Sequence, residues 1–448
     1  MSRCGVILCK CNGAVERRIS LQELSSFIHN ISPNLDVIIG NDLCKPQHLN
    51  LLLEKSGIHP SVIAACSEIR SQSHFWQEPD DTKRSTYFTK YVNILSEIDS
   101  HFPDIEVSDR IKLLLKSQIL KAFSCEALSH DNLRLRFSSS QEQTTRRNLL
   151  SALSPQHEVI PSILSSDCLG ARCNLCVGAC PAEAISDSGN TVNIDKTYCT
   201  GCGSCIGACP HGAISYPGYS LVELEREIEG LLSKNIELPY RVLAITCQSC
   251  SKVDDAILAT ISPNMFTIKV PSLAMASPLL LLHAFNMGAD GIILIHNEGK
   301  CNSKISAQSL HKNVRFIQEL LQRWGIDKNR IGYINKVDVS NNELHDKLQQ
   351  FVENATALGY TPFKSVAGSM TFEGMYNLSA IIKEMDKKLQ MPAEGMLADE
   401  CIPLGNVSID QKHCTGCASC AQICPTGAIS TQVSDSSHRF KLMFQHNK

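Results

Sequence analysis

The chain has 448 residues, too many for a single hydrophobic core, and its length indicates three or four domains. Charged residues make up 19% of it, the formal net charge is −3 and no basic block occurs. We therefore expect no nucleic-acid partner, because binding nucleic acid needs clustered Lys and Arg. The most apolar run, residues 270–285, is short and holds two prolines, which predicts buried core and no transmembrane segment.

Cysteine is the unusual component of the composition. The chain has 22 cysteines, and most of them stand at metal-ligand spacing. Disulfide frameworks belong mainly to short secreted chains, and the N-terminus has no pattern of a signal peptide. The pattern favours thiolate-bound metal in a reducing, and hence cytoplasmic, compartment.

The first part of the chain, residues 1–125, alternates apolar runs with helical patterns. Strands are predicted at 4–8, 35–40 and 61–65, and Ser20 with Glu23 predicts a capping box at the start of the first helix. This alternation is typical of a β-α-β-α-β unit with a parallel sheet. Residues 80–124 have a helical pattern, and the polar stretch 126–160 is predicted to be a linker.

The remainder divides into three further parts. Residues 161–218 form a small, cysteine-rich region, followed by an amphipathic helix at 220–234. Residues 236–356 repeat the α/β rhythm, and 357–448 end in a lone cysteine motif. The expected fold class is multidomain α/β plus α+β, with two parallel-sheet α/β domains and ferredoxin-like [4Fe–4S] modules.

The cysteine-rich region contains two related runs. The second has the bacterial ferredoxin spacing C-x2-C-x2-C-x3-C-P, and the first has its opening gap widened by two residues. In such pairs the cysteine before the proline ligates the neighbouring cluster. The predicted ligand sets are therefore crossed: Cys168, Cys173, Cys176 and Cys209 for one cluster, and Cys199, Cys202, Cys205 and Cys180 for the other. Structural zinc is the alternative, although zinc sites rarely use eight cysteines in this order.

Four cysteines of the first part follow its predicted strands: Cys9, Cys11, Cys44 and Cys66. Parallel strands place such residues at one carboxyl edge, where open α/β sheets bind ligands. A [4Fe–4S] cluster, a zinc ion and free buried thiols are the alternatives. Cys4 and Cys125 fit no group.

The stretches "GVILCKCNGAV", the "LC" at 43–44 and "VIAACSEI" resemble the N-terminal domain of the A-type subunit of heterodisulfide reductase over about residues 3–124. That resemblance implies a non-ferredoxin [4Fe–4S] cluster held by the four cysteines. The flavin-binding domain that follows in that family is missing, and no Gly-x-Gly-x-x-Gly follows a strand. We therefore expect no flavin.

The region 241–354 resembles the D-type iron–sulfur subunit of methyl-viologen-reducing hydrogenase, through "RVLAITCQSC", "SPLLLLHAFNMGADGIILI", "EGKCN" and "NVRFIQELLQRWGIDKNRI". Members of that family bind a [2Fe–2S] cluster. The chain keeps Cys247, Cys250 and Cys301 but has Ser272 and His296 where the family shows two more cysteines. Three thiolates with His296 suit either a [2Fe–2S] cluster or a zinc ion, and an empty site is the third alternative.

The lone motif near the C-terminus comprises Cys414, Cys417, Cys420 and Cys424. Cys401 precedes it as Cys180 precedes the intact run, with a proline and an Ile-Asp strand between. We predict that Cys401 supplies the fourth ligand to the first three cysteines, because the pre-proline cysteine normally points to a second cluster. The alternative is that Cys424 folds back as the fourth ligand.

The sequence predicts an electron-transfer protein with four [4Fe–4S] clusters, to which a [2Fe–2S] cluster adds if the site in 241–354 is filled. Expected partners are other oxidoreductase subunits: a hydrogenase, formate dehydrogenase, heterodisulfide reductase B/C or a benzoyl-CoA-reductase-like complex. The alternative is a reductase with substrate chemistry at its N-terminal cluster. The chain lacks the adjacent cysteine pair that marks the catalytic heterodisulfide-reducing subunit. A redox sensor or scaffold is the third possibility.

Overall fold

The computed structural model describes residues 3–43, 45, 48–49, 51–52, 55, 58–65, 90–124, 133–136, 156–247, 258, 260–297, 304–363, 378–390, 409–410, 412–424, 429–433 and 440–444. The sequence also predicts a helix between Pro46 and Gly57 and another near 251–260, and both lie largely outside these residues. None of the helices in the described ranges is long and apolar enough to cross a membrane.

The N-terminal unit is built on a four-stranded parallel sheet. Its elements are β1 (Arg3–Cys9), α1 (Leu21–Ile31), β2 (Asp36–Gly40), β3 (Ile58–Ala65) and β4 (Lys90–Asn93). The strand order is β2-β1-β3-β4, and all the pairs are parallel. Because the chain crosses from β2 over β1 to β3, the order reverses beside β1, where open α/β sheets bind ligands.

The prediction of helix throughout 80–124 was wrong at β4. Lys90 and Val92 are buried and alternate with half-buried neighbours, which is the period of a strand. Two helices follow, α2 (Ile94–Ile98) and α3 (Asp104–Phe123). Helix α3 places a row of apolar residues at four-residue spacing against the sheet: Val107, Ile111, Leu115 and Ile119.

The stretch predicted to be a linker contains two paired strands. These are β5 (Leu133–Arg136) and β6 (Gln156–Val159), which pair antiparallel. The chain therefore returns on itself between the N-terminal unit and the cysteine-rich region.

The cysteine-rich region, residues 161–218, is called the ferredoxin unit below. Its elements are short: β7 (Ser162–Ile163), α4 (Leu175–Ala179), β8 (Ile185–Asp187), β9 (Val192–Ile194), α5 (Ser204–Ala208) and β10 (Ile214–Ser215). Strand β7 pairs with β10 and β8 with β9, both antiparallel. Such small strands bury little surface, so packing around the cysteines carries much of the unit's core.

Helix α6 (Leu221–Leu231) leads into a second four-stranded parallel sheet. The sheet and its helices are β11 (Val242–Cys247), β12 (Met265–Val270), α7 (Pro278–Asn286), β13 (Gly291–His296), α8 (Lys304–Arg323), β14 (Ile331–Asn335) and α9 (Asn341–Ala357). Its strand order, β12-β11-β13-β14, repeats the order of the N-terminal sheet. The sequence also predicts that Ser277 caps the helix beginning at Pro278, and this is confirmed: the Ser277 hydroxyl accepts a hydrogen bond from the Leu280 amide.

Helices α3 and α6 pack closely enough to join the two sheets. A Cβ at Gly230 of α6 would overlap the backbone of Ser117 on α3, so only glycine allows this approach. Leu113 of α3 belongs to the same core as Leu224 of α6 and Phe266 of β12. Arg110 donates to the carbonyl oxygens of Ser262 and Pro263 in the second α/β region.

The C-terminal part contributes helix α10 (Leu378–Lys388), which packs on α7. It then forms α11 (Ser419–Ile423) and the antiparallel strands β15 (Ile429–Val433) and β16 (Phe440–Phe444).

Candidate metal centres

The two halves of the ferredoxin unit repeat one local structure. Backbone amides donate to cysteine sulfurs at matching positions: Gly170 to Cys168 and Gly201 to Cys199, then Ala184 to Cys180 and Ala213 to Cys209. The Sγ–N distances are 3.3–3.5 Å. Hydrogen bonds to sulfur stabilise the thiolate form, which is the form that binds metal.

The cysteines of the two runs are interleaved in space. A cleft that is partly open to solvent is lined by all four cysteines of the first crossed set, Cys168, Cys173, Cys176 and Cys209. In the second half, Cys205 lies near Cys202, Cys199 and Cys180, and also near Cys176 of the first set. The fold thus brings together the members of each predicted set.

Burial disfavours the charged thiolate form of these cysteines unless a positive charge lies nearby. Burial first, and then the neighbouring Cys209, Cys173 and Cys168, raise the pKa of Cys176 to about 11. Burial and the adjacent thiolates likewise raise the pKa of Cys205. Ligands must be deprotonated, so bound iron would supply the charge that these sites lack.

Among the described residues, no three Cys, His, Asp or Glu side chains converge closely enough to hold one metal ion. The order of the eight cysteines, which is that of paired ferredoxin runs, is the reason that we favour clusters over zinc.

In the N-terminal unit, the structure describes two of the four predicted ligands. Cys9 ends β1 and is buried, and Cys11 follows in the left-handed conformation, φ 47°. A hydrogen bond with the Cys11 side chain, opposed by burial, lowers the pKa of Cys9 to about 6, and the Leu43 backbone contributes in the same direction. Cys44 and Cys66 lie outside the described residues.

The loops after β1 and β2 are tied together beside these cysteines. Asn12 donates its backbone amide to Asn41 Oδ1 at 2.9 Å, and Asn41 Nδ2 donates to Asn12 Oδ1 at 3.1 Å. The backbone of Leu43, the residue before Cys44, hydrogen-bonds to Cys9. The carboxyl edge of this sheet is therefore held in a fixed shape around Cys9.

Two candidate ligands, Cys247 and His296, lie at the carboxyl edge of the second sheet. Cys247 ends β11 and its thiol donates to the Pro271 carbonyl at 3.5 Å, while His296 ends β13. The His296 Nδ1 lies 3.4 Å from the Tyr333 hydroxyl. Ser272 instead caps the 3-10 turn Leu273–Met275 by accepting from the Ala274 amide. Cys250 and Cys301 lie outside the described residues.

The lone motif has the backbone conformation of the intact runs. The residue before each short helix is left-handed, with φ 51° at Asn174, 72° at Gly203 and 60° at Ala418. The Cys414 amide donates to the Asp410 carbonyl at 2.9 Å, as the Cys199 amide does to Asp195 at 3.0 Å. Cys424 leaves its helix extended, as Cys180 and Cys209 do. Cys401 lies outside the described residues.

Sequence reasoning missed the contacts that the ferredoxin unit makes with the second α/β region. Gly203 and Gly207 approach Met275 and Ala274 there. The only signal was the four-residue spacing of the two glycines, which puts them one helical turn apart. Nothing in that spacing identifies the partner segment.

Different parts of the chain are similar to different known proteins. Residues 242–359 match the family model of the methyl-viologen-reducing hydrogenase delta subunit. The model of the 4Fe-4S binding domain matches residues 192–215 and 407–430. The A-type subunit of the ferredoxin:CoB-CoM heterodisulfide reductase of Methanosarcina acetivorans is 32% identical over 175 residues. The chain combines heterodisulfide-reductase-A-like, ferredoxin and hydrogenase-delta-like parts.

The resemblances that the sequence motifs indicated are thereby confirmed, and the 4Fe-4S matches indicate [4Fe–4S] clusters in this chain. The similar stretch covers 39% of this chain and 21% of the reductase polypeptide, so the chain spans about a fifth of that relative. Residues 242–359 are called the delta-like domain below.

Proposed function

We propose that the protein is an iron–sulfur electron-transfer component of a heterodisulfide-reductase- or hydrogenase-like complex, relaying single electrons between partner subunits. Bound clusters would each take up and release one electron without a change in covalent structure. The proposal extends to four [4Fe–4S] clusters, on the crossed sets, on Cys9, Cys11, Cys44 and Cys66, and on Cys401, Cys414, Cys417 and Cys420. A further centre at Cys247, Cys250, His296 and Cys301 is the remaining candidate.

The observation that carries this proposal is the interleaving of the two cysteine runs. The cleft lined by Cys168, Cys173, Cys176 and Cys209 takes ligands from both halves, as a two-cluster ferredoxin requires. The 4Fe-4S match over 192–215 supports the same assignment. Two sites whose ligand sets cross between the two runs in this way lie close together, which suits transfer of electrons from one to the other.

The protein's own groups would fix the properties of each site. Backbone amides at Gly170, Ala184, Gly201 and Ala213 hold the cysteine sulfurs in place and favour the thiolate form. Hydrogen bonds to sulfur and burial are the means by which a protein adjusts the potential of such a centre. Relay of electrons needs no proton donor, and we assign none.

Packing of the N-terminal unit and the delta-like domain on helix α6 favours electron transfer between clusters within one chain over clusters that act independently. Helix α6, which leaves the ferredoxin unit, contacts both α3 of the N-terminal unit and α7 of the delta-like domain. Parts held by such buried contacts keep a constant separation, which a chain of electron carriers needs. We propose that hydrogenase- or heterodisulfide-reductase-type subunits, which the two resemblances suggest, are the donor and the acceptor.

Anoxic purification of the tagged protein from its native cells, with its partners identified, tests the proposal. We expect oxidoreductase subunits to co-purify, and we expect the isolated chain to accept electrons from reduced viologen but to turn over a substrate only with those subunits. Catalytic turnover of a disulfide or other substrate by the isolated chain would instead establish the reductase alternative.

A further inference from the structure

The two halves of the ferredoxin unit have the same local fold but different surroundings. Gly207 of α5 and Gly178 of α4 occupy matching positions, two residues after Cys205 and Cys176. A Cβ at Gly207 would overlap the carbonyl oxygen of Ala274 in the delta-like domain. No described atom lies within 4 Å of a Cβ at Gly178. Among the described residues, the second half is therefore docked closely at a position where the first half meets no neighbour.

A second glycine strengthens this difference. Gly203 precedes α5, as Asn174 precedes α4, and both are left-handed. A Cβ at Gly203 would overlap the Met275 side chain, whose Sδ would lie 3.1 Å away. Asn174 shows that this backbone conformation tolerates asparagine, so conformation alone does not require glycine at 203. Glycine is required at 203 because a larger side chain would overlap Met275.

The segment that receives the second half, residues 271–277, is called the docking loop. Its internal hydrogen bonds run from the Met275 amide to the Ser272 carbonyl, 3.1 Å, and from the Ser277 amide to the Met275 carbonyl, 2.8 Å. From α8, Asn313 Nδ2 donates to the Ala276 carbonyl at 3.1 Å. Ala274 is 2% exposed and Met275 is 1% exposed. A loop held in this way cannot move aside for an added methyl group without losing these contacts.

The docking loop begins at the carboxyl edge of the second sheet. It follows directly from β12, and its first residue, Pro271, accepts a hydrogen bond from the Cys247 thiol. Cys202 and Cys205, which flank Gly203 and precede Gly207, lie on the other side of the contact. The two glycines therefore join the second set of ferredoxin cysteines to the edge that holds Cys247 and His296.

The lone motif cannot dock in the same way. Its matching residues are Ala418 and Gln422, and a glutamine side chain does not fit where Gly207 meets a backbone carbonyl. The contact is therefore a property of the second ferredoxin half and not of every copy of the motif.

We propose that Gly203 and Gly207 are positioning residues that dock the second half of the ferredoxin unit on residues 271–277 and set the route by which electrons pass between that half and the delta-like domain. With both sites filled, Cys180, Cys199, Cys202 and Cys205 would hold the centre of the second half, and Cys247 and His296 would help to hold a centre at the carboxyl edge. One electron lost by the first centre would be gained by the second, with no bond formed or broken and no proton transferred. The docking stands on geometry alone, whereas the electron route rests on the proposed function.

Gly207→Ala and its matched control Gly178→Ala test the docking in the full-length, anoxically purified protein. Alanine is the better helix residue at both positions, so local propensity favours both variants equally. We expect amide hydrogen exchange across residues 272–280 to be about tenfold faster in Gly207→Ala, because local opening becomes easier. It should be unchanged in Gly178→Ala. Equal exchange in the two variants would overturn the docking.

Gly203→Asn provides an independent test through rescue. Asparagine keeps the left-handed backbone, so the variant should loosen the docking loop through its overlap with Met275 alone. Adding Met275→Ala removes the obstructing side chain, and exchange should return towards that of Met275→Ala alone. A double variant whose exchange is as fast as the two effects combined would contradict the assigned contact.

Freeze-quench electron paramagnetic resonance after mixing with dithionite tests the route. We expect iron content to be equal in wild type, Gly207→Ala and Gly178→Ala, with reduction of the delta-like centre slowed about tenfold only in Gly207→Ala. Unchanged kinetics in that variant would overturn the route. A wild-type protein with full ferredoxin iron but no reducible centre in the delta-like domain would also overturn the route. That result would not contradict the proposed function. Absence of ferredoxin iron would instead refute the proposed function.

Discussion

Lys121 and Glu227 form a buried ion pair, with 2.6 Å between Nζ and Oε2, that joins helix α3 of the N-terminal unit to helix α6. Burial would lower the pKa of Lys121, but the Glu227 carboxylate and the Tyr219 side chain, whose ring lies 4.6 Å from Nζ, raise it overall. Gln118 donates a second hydrogen bond to Glu227 at 2.8 Å. Helix α3 of the N-terminal unit is thus linked to helix α6 by a buried, hydrogen-bonded charge pair.

Lys121→Met should destabilise the protein by about 3 kcal/mol, because it leaves the Glu227 carboxylate buried without its partner. Arg226→Met is the matched control on α6: it breaks the exposed pair with Glu229 and should cost about 0.5 kcal/mol or less. Denaturant unfolding followed by Trp fluorescence measures both. Equal effects would show that the buried pair does not stabilise the junction.

The double variant Lys121→Met/Glu227→Leu should recover most of the lost stability, because no buried charge remains. The raised pKa of Lys121 also gives the pair a defined pH dependence. Its stabilisation is fully present below the unfolded-state pKa, about 10.4, and is lost as the pH rises through the higher folded-state value.

Much of the fold followed from local patterns. The apolar runs at 4–8 and 35–40 are strands within one residue of the predicted bounds, because buried parallel strands need such runs. Strand β4 was missed, since Lys90-Tyr91-Val92-Asn93 is short and half polar, and only pairing with β3 identifies it. The paired strands β5 and β6 were missed for the same reason: their pairing depends on partners distant in sequence.

The candidate sites likewise include features that local sequence motifs predict and features that depend on packing between distant parts of the chain. Cysteine spacing predicted the crossed sets because the ferredoxin motif is local, with each turn fixed by positive-φ residues such as Gly201 and Gly203. The approach of Gly207 to Ala274 could not be predicted, because it depends on how two separately folded parts pack. Ser272 shows the limit of resemblance: it aligns with a ligand position but caps a turn.

Iron and acid-labile sulfide analysis of anoxically purified protein should give about sixteen irons in [4Fe–4S] form, four for each of four clusters, and two more if the delta-like domain holds a [2Fe–2S] cluster. The N-terminal cysteines and the lone motif account for half of the sixteen. A folded protein with about eight irons would restrict the clusters to the ferredoxin unit.

We expect no tightly bound flavin, because no dinucleotide-binding glycine pattern follows any predicted strand. Denaturation of the purified protein, followed by fluorescence of the supernatant, measures this directly. Release of FAD in amounts equal to the protein would contradict the prediction and would allow a two-electron carrier within this chain.

The fourth ligand of the lone motif can be assigned by two substitutions. Cys401→Ala should leave three thiolates at Cys414, Cys417 and Cys420, and convert the cluster to a [3Fe–4S] form. Cys424→Ala should leave it intact, because Cys424 leaves its helix extended as Cys180 and Cys209 do. Electron paramagnetic resonance of the oxidised full-length proteins separates them. A [3Fe–4S] signal in Cys424→Ala and not in Cys401→Ala would reverse the assignment.

The most direct test of the central claim is a reductive titration of the anoxic, full-length protein followed by electron paramagnetic resonance. An iron–sulfur relay should take up about four electrons per chain, one for each [4Fe–4S] cluster. The two ferredoxin centres, whose ligand sets cross between the two runs, should interact magnetically. A fifth electron is expected if the delta-like centre is filled. A folded protein that binds zinc, takes up no electrons and gives no cluster signal would contradict the account.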